Sequence, residues 1–336
     1  MRYSKLGFLL IASSTVLIVA ICLGLIYFQS HPKKRFQRIE FFPLGAQIGK
    51  LTFTQRATFP TFPSTVRMYR VQPITSMKDE FLKLIDLLPI KRTPEVAVHI
   101  QKLKNAPEPK LRENEPLSGD VGGWNISVYP GGQFSLRNMT VNLDGRDATA
   151  PSVEEVRELA DMFLARTKLL PTEARFDKIK DADVSVWGLG DKPGDRVVHS
   201  RWVTYQCWLD GIPTIGSFAV EVGAGKEIVC VLNEMRRTIP DQMVPILSQN
   251  DCLNKLRAGE GHMADGPSWD ATAYVDSIKL MYWESILAMD LSYIMPVYVF
   301  EGEAVAPGKR TVRWKAHVEA VRPEFLEKKP VYKYHE

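Results

Sequence analysis

The stretch Tyr205–Leu232, YQCWLDGIPTIGSFAVEVGAGKEIVCVL, decides the fold that the sequence predicts. Its GAGK run at 223–226 would belong to a phosphate-binding loop only within GxxxxGK followed by Ser or Thr, between a strand and a helix. Val220 occupies the position of the first glycine, and Glu227 occupies that of the magnesium-binding hydroxyl. The following residues continue as a strand, and the two glycines can adopt the positive φ angles of a tight turn. The stretch therefore predicts a β-hairpin without a nucleotide site.

Three helix starts lie along the rest of the chain. Ser76, Ser152 and Ser248 each precede an acidic residue three positions later, the spacing of a helix N-cap and its third residue. The apolar positions that follow recur at i, i+3 and i+4, as on one face of a helix. Runs of strand-forming residues come after each of these helices. The repeated order is therefore one helix and then three or four strands.

The last strand of this series, Val312–Ala320, alternates clearly. Val312 and the even-numbered residues after it are apolar, whereas Arg313, Lys315, His317 and Glu319 are polar, which predicts one buried and one wet face. We therefore predict an α+β fold of tandem modules, each with one helix packed on a three- to four-stranded antiparallel sheet, after an N-terminal transmembrane helix.

The predicted transmembrane helix is the apolar run LGFLLIASSTVLIVAICLGLIYF at 6–28, which carries no charge. At about 1.5 Å per residue it is long enough to cross a bilayer, and large residues occupy the place of a signal-peptidase site. Basic residues on both sides leave the orientation open, and the closeness of the span to the N-terminus favours an extracytoplasmic body. The predicted parts are a cytoplasmic tail (1–5), a signal anchor in the cell membrane (6–28), a stalk (29–64), three modules (65–148, 149–244, 245–322) and a C-terminal tail (323–336).

The composition and motifs argue against several function classes. The net charge is only +4 over 336 residues and the basic residues are scattered, which gives no nucleic-acid signature. The four cysteines have no zinc spacing, and buried thiols are favoured over a disulfide. The six histidines form no metal-ligand motif, and there is no GxSxG serine motif. The sequence therefore predicts a protein that is not an enzyme, without catalytic, cofactor-binding or metal-binding residues.

Two groups of residues remain as a candidate partner-binding surface. Trp202 and Trp208 are six apart on one predicted strand, so they share a face. Lys315 and His317 lie on the predicted wet face of the last strand. Packing inside the core is the alternative interpretation for the tryptophans, because small modules need large side chains to fill them. Both interpretations stay open at this point.

The order of turns and strands also resembles a known family. GIPTIG at 211–216, a strand, a Gly-Lys turn, a strand ending near Asn233 and a short helix opening at Leu247–Ser248 resemble PepSY-like modules and the YycH/YycI regulators of Gram-positive bacteria. The segments 277–282 and 295–300 resemble the strands that close such a module. The resemblance implies a single membrane anchor, an extracytoplasmic α+β body and a non-catalytic role in binding or regulating a protein partner in the membrane or envelope. Inhibition or chaperoning of a secreted peptidase is an alternative, and a cell-envelope enzyme is a third.

Overall fold

The computed structural model describes residues 35–36, 38, 49–109, 115–141, 149–182, 184–187, 195–284 and 292–327. The chain divides into two compact units, one of 39–322 and one of 1–38 with 323–336. In the smaller unit, Phe36 forms an isolated parallel bridge with Leu326. All helices and strands named below belong to the larger unit.

Four helices lie within the described residues: α1 (Met77–Leu87), α2 (Pro94–Asn105), α3 (Val153–Thr167) and α4 (Gln249–Arg257). The three predicted starts are confirmed, because Ser76, Ser152 and Ser248 each accept the backbone N–H of the third residue that follows. The reciprocal capping box is present at Ser248, whose own amide donates to Asp251. Helix α2 is not predicted by the sequence pattern, although Thr93 caps it and a proline stands in its first turn.

The described residues contain sixteen strands. They are β1 (Leu51–Gln55), β2 (Thr65–Val71), β3 (Leu117–Val121), β4 (Trp124–Val128), β5 (Phe134–Asn138), β6 (Ala174–Asp181), β7 (Val184–Trp187), β8 (Asp195–Val198), β9 (Ser200–Leu209), β10 (Ile212–Gly223), β11 (Ile228–Asn233), β12 (Thr238–Pro245), β13 (His262–Asp265), β14 (Ala271–Trp283), β15 (Tyr293–Val305) and β16 (Val312–Glu319).

Fourteen of these strands form one sheet. Its main path runs β12-β2-β15-β14-β10-β11-β5-β4-β3. Off this path, β1 lies beside β14, β16 beside β15 and β13 beside β16, while β9 lies beside β10 and β6 beside β9. The pairs are antiparallel except for β1 with β14 and β10 with β14. Strands β7 and β8 form a separate two-stranded sheet. The predicted fold class is therefore wrong: a large mixed sheet replaces the tandem helix-on-sheet modules.

Strands that the sequence assigns to different modules pair with each other in the structure. Strand β5 pairs with β11 through Leu136 opposite Val231, and β10 meets β14 through Thr214 opposite Tyr282. Such pairing satisfies backbone N–H and C=O groups that a free edge leaves open. The predicted modules therefore share one sheet, while their boundaries at 148/149 and 244/245 stay a prediction.

The predicted hairpin at Tyr205–Leu232 is confirmed. Strand β10 pairs with β11 around the turn at 223–227, where Gly225 and Lys226 have φ angles of 79° and 66°. The side chain of Lys226 is 63% exposed. Its Nζ nevertheless lies 2.5 Å from Glu155 Oε1 in the first turn of α3. The turn is thus tied to the N-terminus of the helix that covers the hairpin.

The main core lies between the helices α1 and α3 and one face of the sheet. Phe81, Leu84 and Phe163 from the helices belong to one buried cluster with Tyr205 and Phe218 from β9 and β10. Tyr205 also donates its hydroxyl to Asp161 Oδ1 of α3 over 2.9 Å. Apolar burial and this hydrogen bond therefore fix α3 against the sheet.

The predictions of a signal anchor, a transmembrane helix and a single-pass, extracytoplasmic location are contradicted. In the part of the chain that the structure describes, no helix is long and apolar enough to cross a bilayer. The longest described helix, α3, has 15 residues and spans about 22 Å, against about 30 Å for a hydrocarbon core. The predicted anchor at 6–28 lies outside the described residues.

Candidate binding cleft

The structure places Trp202 and Trp208 together on one face of β9, as the spacing predicted. Both are half-buried, whereas the alternating residues Val203 and Tyr205 face the core. The guanidinium carbon of Arg175 lies 5.5 Å from the ring centroid of Trp208, a cation–π contact from the neighbouring strand. The two tryptophans therefore form a partly covered outer face of the sheet.

The other two predicted site residues lie on β16, and one of them is internal. His317 is only 4% exposed, so the prediction of a wet face is wrong at this position. Its ring stacks on His262 at 5.9 Å and meets Trp283 edge-on at 4.9 Å. Burial, with a smaller contribution from the charges of Lys315 and His262, lowers the pKa of His317 to about 3, so the ring stays neutral.

Lys315 is an ion-pair residue of the same strand. Its Nζ lies 3.5 Å from Glu301 Oε1, while Lys279 Nζ lies 2.8 Å from Glu301 Oε2. Strands β10, β14 and β15 stand between β9 and β16 along the sheet. The structure therefore does not bring Trp202 and Trp208 together with Lys315 and His317 into one surface.

A cleft of about 460 Å³ lies elsewhere, between α1, the end of α3 and the segment between β11 and β12. We call it the basic cleft. Its lining includes the cations Lys83, Lys168, Arg236 and Arg237, the carboxylates Glu80 and Glu173, and the apolar residues Leu84, Leu87, Phe134, Leu169, Leu209 and Met235. A volume of this size is within the range of ligand sites, which combine apolar walls with a few polar groups.

Helix geometry places the first group of lining residues. Glu80, Lys83, Leu84 and Leu87 follow the i, i+3, i+4 spacing of α1, so they share the side of the helix that borders the cleft. Leu84 is buried, whereas Lys83 is exposed at the rim. The helix therefore contributes both an apolar wall and a cation.

The end of α3 places the second group. Lys168 is the C-cap residue, with φ 55° in the left-handed region, and its amide donates to Leu164. The chain turns there, so that Leu169 and Pro171 line the cleft beside it. Lys168 is exposed and has no ion-pair partner among the described residues. A cation thus stands at the negative end of the α3 dipole, where positive charge is favoured.

The segment 235–237 is held by three consecutive backbone amides. The amide of Met235 donates to Asn233 Oδ1 over 3.1 Å, that of Arg236 donates to Glu284 Oε1, and that of Arg237 donates to the Gly131 carbonyl over 2.8 Å. Each acceptor comes from a different part of the chain. The two arginines are therefore presented to the cleft from an anchored backbone.

The two arginines differ in their surroundings. Arg236 is 7% exposed at the base of the cleft, and with the Gln133 amide oriented so that its oxygen faces it, Arg236 Nε and Nη2 donate to Gln133 over 3.0 and 3.1 Å. Arg237 is exposed, and its Nη2 lies 2.6 Å from Glu80 Oε1. Lys83 Nζ lies 3.6 Å from the same oxygen. One carboxylate of the chain is therefore bound by two cations of the rim.

Glu284 supports the cleft from behind. Burial raises the pKa of its carboxyl to about 8, although the Arg236 amide and charge act in the opposite direction. Its Oε2 has no hydrogen-bond partner among the described residues, and a Cβ at Gly216 would lie 2.9 Å from that oxygen. Glu284 is therefore mostly protonated at neutral pH and packed closely against a glycine.

Sequence reasoning missed the basic cleft. Its lining residues come from positions 72–87, 132–134, 168–173, 209 and 233–238. The Arg236-Arg237 doublet is the one local signal, and such a doublet is usually an ordinary surface feature. Among the described residues, there is no group of three or more His, Cys, Asp or Glu side chains placed to hold a metal ion.

Comparisons with known proteins do not name a family. No family model matches the chain, and no curated protein matches it. Among solved structures, the chain is similar to an uncharacterized protein from Eubacterium rectale, with 13% identity over 80% of this chain and 87% of that chain and a TM-score of 0.33. A likeness of that size supports no conclusion about function. The resemblance to PepSY-like and YycH/YycI proteins stays a prediction.

Proposed function

We propose that this protein is a non-catalytic binding protein that holds a segment of a partner protein in the basic cleft. The observation that carries the proposal is the combination of a buried arginine, Arg236, with an apolar wall in a cleft of about 460 Å³. Arginine is among the residue types enriched at the energetic hot spots of protein interfaces, which lie in well-packed, desolvated pockets. Inhibition or chaperoning of a peptidase stays a prediction about the partner's identity.

The backbone around the cleft supports this proposal. The amides of 235–237 are anchored on Asn233, Glu284 and Gly131, so the guanidinium groups start from a fixed segment. A binding site whose shape exists before the ligand arrives loses less conformational entropy on binding. The anchored segment therefore lowers the entropy cost of binding at the cleft.

Site-specific photo-cross-linking in living cells tests the proposal. A benzophenone amino acid at Leu87 or at Thr238, both of which line the cleft, is compared with the same amino acid at Val305, an exposed residue that does not line it. We expect both cleft positions to cross-link one common protein that the control position does not capture. The purified partner should then bind the wild-type chain and bind Leu87→Arg at least tenfold more weakly. The same cross-links at all three positions, or none, would overturn the proposal.

A further inference from the structure

The rim of the basic cleft already binds a carboxylate of its own chain. Arg237 Nη2 and Lys83 Nζ both approach Glu80 Oε1, at 2.6 and 3.6 Å. Arg237 and Lys83 are exposed, whereas the Glu80 side chain is only 16% exposed. At the rim of the cleft, these two cations therefore already bind a carboxylate group, that of Glu80.

Cationic charge remains after this internal pairing. Four cations line the basic cleft against two carboxylates. Lys168 is exposed and has no ion-pair partner among the described residues. A Coulomb attraction in a partly buried cleft is stronger than the same attraction in bulk water. A ligand that brings negative charge is therefore favoured over a neutral or cationic one.

The wall between the cations is apolar. Leu84, Phe134 and Met235 are buried side chains of the main core that also line the cleft, and Leu87 and Leu169 border it at the surface. A ligand with charge alone would leave this wall in contact with water. An apolar group of the ligand that covers this wall would be stabilised by the removal of the apolar area from water.

We propose that the basic cleft recognises an acidic peptide segment in which a Glu or Asp carboxylate stands next to an apolar side chain. The ligand carboxylate binds Lys168 and Arg237, and its apolar neighbour packs on Leu84 and Leu87. This assignment rests on the proposed function, because it names the chemistry of the partner segment held in the same cleft. Glu80 acts as an internal competitor, since it occupies the Arg237 guanidinium in the free protein.

Blocked tetrapeptides are suitable probes for this proposal. Ac-Leu-Glu-Leu-Glu-NH₂ and its Phe and Val counterparts carry the acid and the apolar group, and the matching Gln peptides differ only in charge. Titration into the full chain is followed by calorimetry and by NMR. We expect each acidic peptide to bind more tightly than its Gln isostere, with a difference that shrinks as salt is added.

Variants of the chain test which residues bind the ligand carboxylate. Arg237→Gln and Lys168→Gln should each weaken binding of the acidic peptide by about two- to fivefold, as expected for partly exposed ion pairs. Glu80→Gln should strengthen binding by a similar factor, because it frees Arg237. Lys102→Gln on α2 is the matched control for the loss of one exposed positive charge, and it should leave the affinity unchanged.

The outcomes separate this proposal from the one on which it rests. Equal binding of the Glu and Gln peptides across the panel, or weaker binding by Glu80→Gln, would overturn the acidic-peptide assignment while cross-linking at Leu87 and Thr238 could still succeed. Hexanoate binding as tightly as the best peptide would reassign the cleft to a free carboxylic acid. Cross-links that do not localise to the cleft would instead remove the proposed function itself.

Discussion

The buried carboxyl of Glu284 accepts the backbone N–H of Arg236, which lies 48 positions earlier in the chain. This hydrogen bond joins the end of β14 to the segment that carries the two arginines of the basic cleft. Burial is the main cause of the raised pKa of this carboxyl. Its second oxygen, Oε2, has no hydrogen-bond partner among the described residues. One buried ionisable group therefore holds the backbone of the segment that carries the two arginines.

Glu284 should make the stability of the fold depend on pH. Its folded-state pKa of about 8 is above the usual 4.5, so the folded chain binds more protons than the unfolded chain between these values. The stabilisation is complete below about pH 4.5 and is lost as the pH rises through 8, by at most about 1.4 kcal/mol per pH unit. Urea unfolding of wild type and Glu284→Gln across this window measures the difference. The variant keeps an acceptor for Arg236 and should lack this part of the slope; an identical slope in both proteins contradicts the assignment.

Tyr205 should stabilise the contact between α3 and the sheet. Its hydroxyl donates to Asp161 Oδ1 over 2.9 Å, and Arg157 Nε binds the other oxygen of the same carboxylate over 2.6 Å. Tyr205→Phe keeps the buried ring and removes one hydrogen bond to a charged acceptor, which should lower the free energy of unfolding by about 1–2 kcal/mol. Chemical denaturation of wild type and Tyr205→Phe measures this difference in the free energy of unfolding. A loss under about 0.3 kcal/mol would show that water replaces the bond at no cost.

The hairpin turn offers a test of backbone strain. Lys226 has φ 66°, a conformation that costs a residue with a Cβ more than it costs glycine, and it also pairs with Glu155. Lys226→Ala loses the ion pair and keeps the strain, whereas Lys226→Gly loses the ion pair and relieves the strain. The glycine variant should therefore unfold at a higher temperature than the alanine variant in differential scanning calorimetry. The reverse order would mean that the turn relaxes when the lysine is removed.

His317 should tolerate an apolar replacement. Neither ring nitrogen has a hydrogen-bond partner among the described residues, although the side chain is 4% exposed. Replacing an unsatisfied buried polar group by an apolar group of similar volume is nearly neutral or stabilising. His317→Leu should thus unfold at the same denaturant concentration as wild type or a higher one, with the exposed His99→Leu as the control. A loss above about 2 kcal/mol would show that the ring nitrogens are satisfied in solution.

Local signals in the sequence predict the hairpin and three of the four described helices. Ser76, Ser152 and Ser248 satisfy amides within a single helical turn, so their spacing to the next acid predicts each helix start. The hairpin at Tyr205–Leu232 depends on the glycines of its own turn. Helix α2 was missed because its apolar face is short, with Ile100 as its one buried residue.

Long-range pairing could not be predicted in the same way. The strand containing Leu136 pairs with the strand containing Val231. The alternation of apolar residues in either strand does not indicate which other strand it pairs with. Any exposed strand edge presents the same N–H and C=O groups. His317 shows the same limit, because alternation along one strand tells which residues share a face but not what covers that face. The basic cleft combines both difficulties, since its cations lie on three separate segments.

The pairing of β5 with β11 also affects how the chain can be made. Asn138 at the end of β5 donates to the Ile228 carbonyl, 90 positions later in synthesis. At about 5–20 residues per second, the ribosome needs on the order of ten seconds to deliver that partner. During this interval the meander β3-β4-β5 is complete but has an open edge, so it is exposed to pairing with other nascent chains. Chaperone occupancy on the ribosome should therefore be highest between the emergence of residue 138 and that of residue 233.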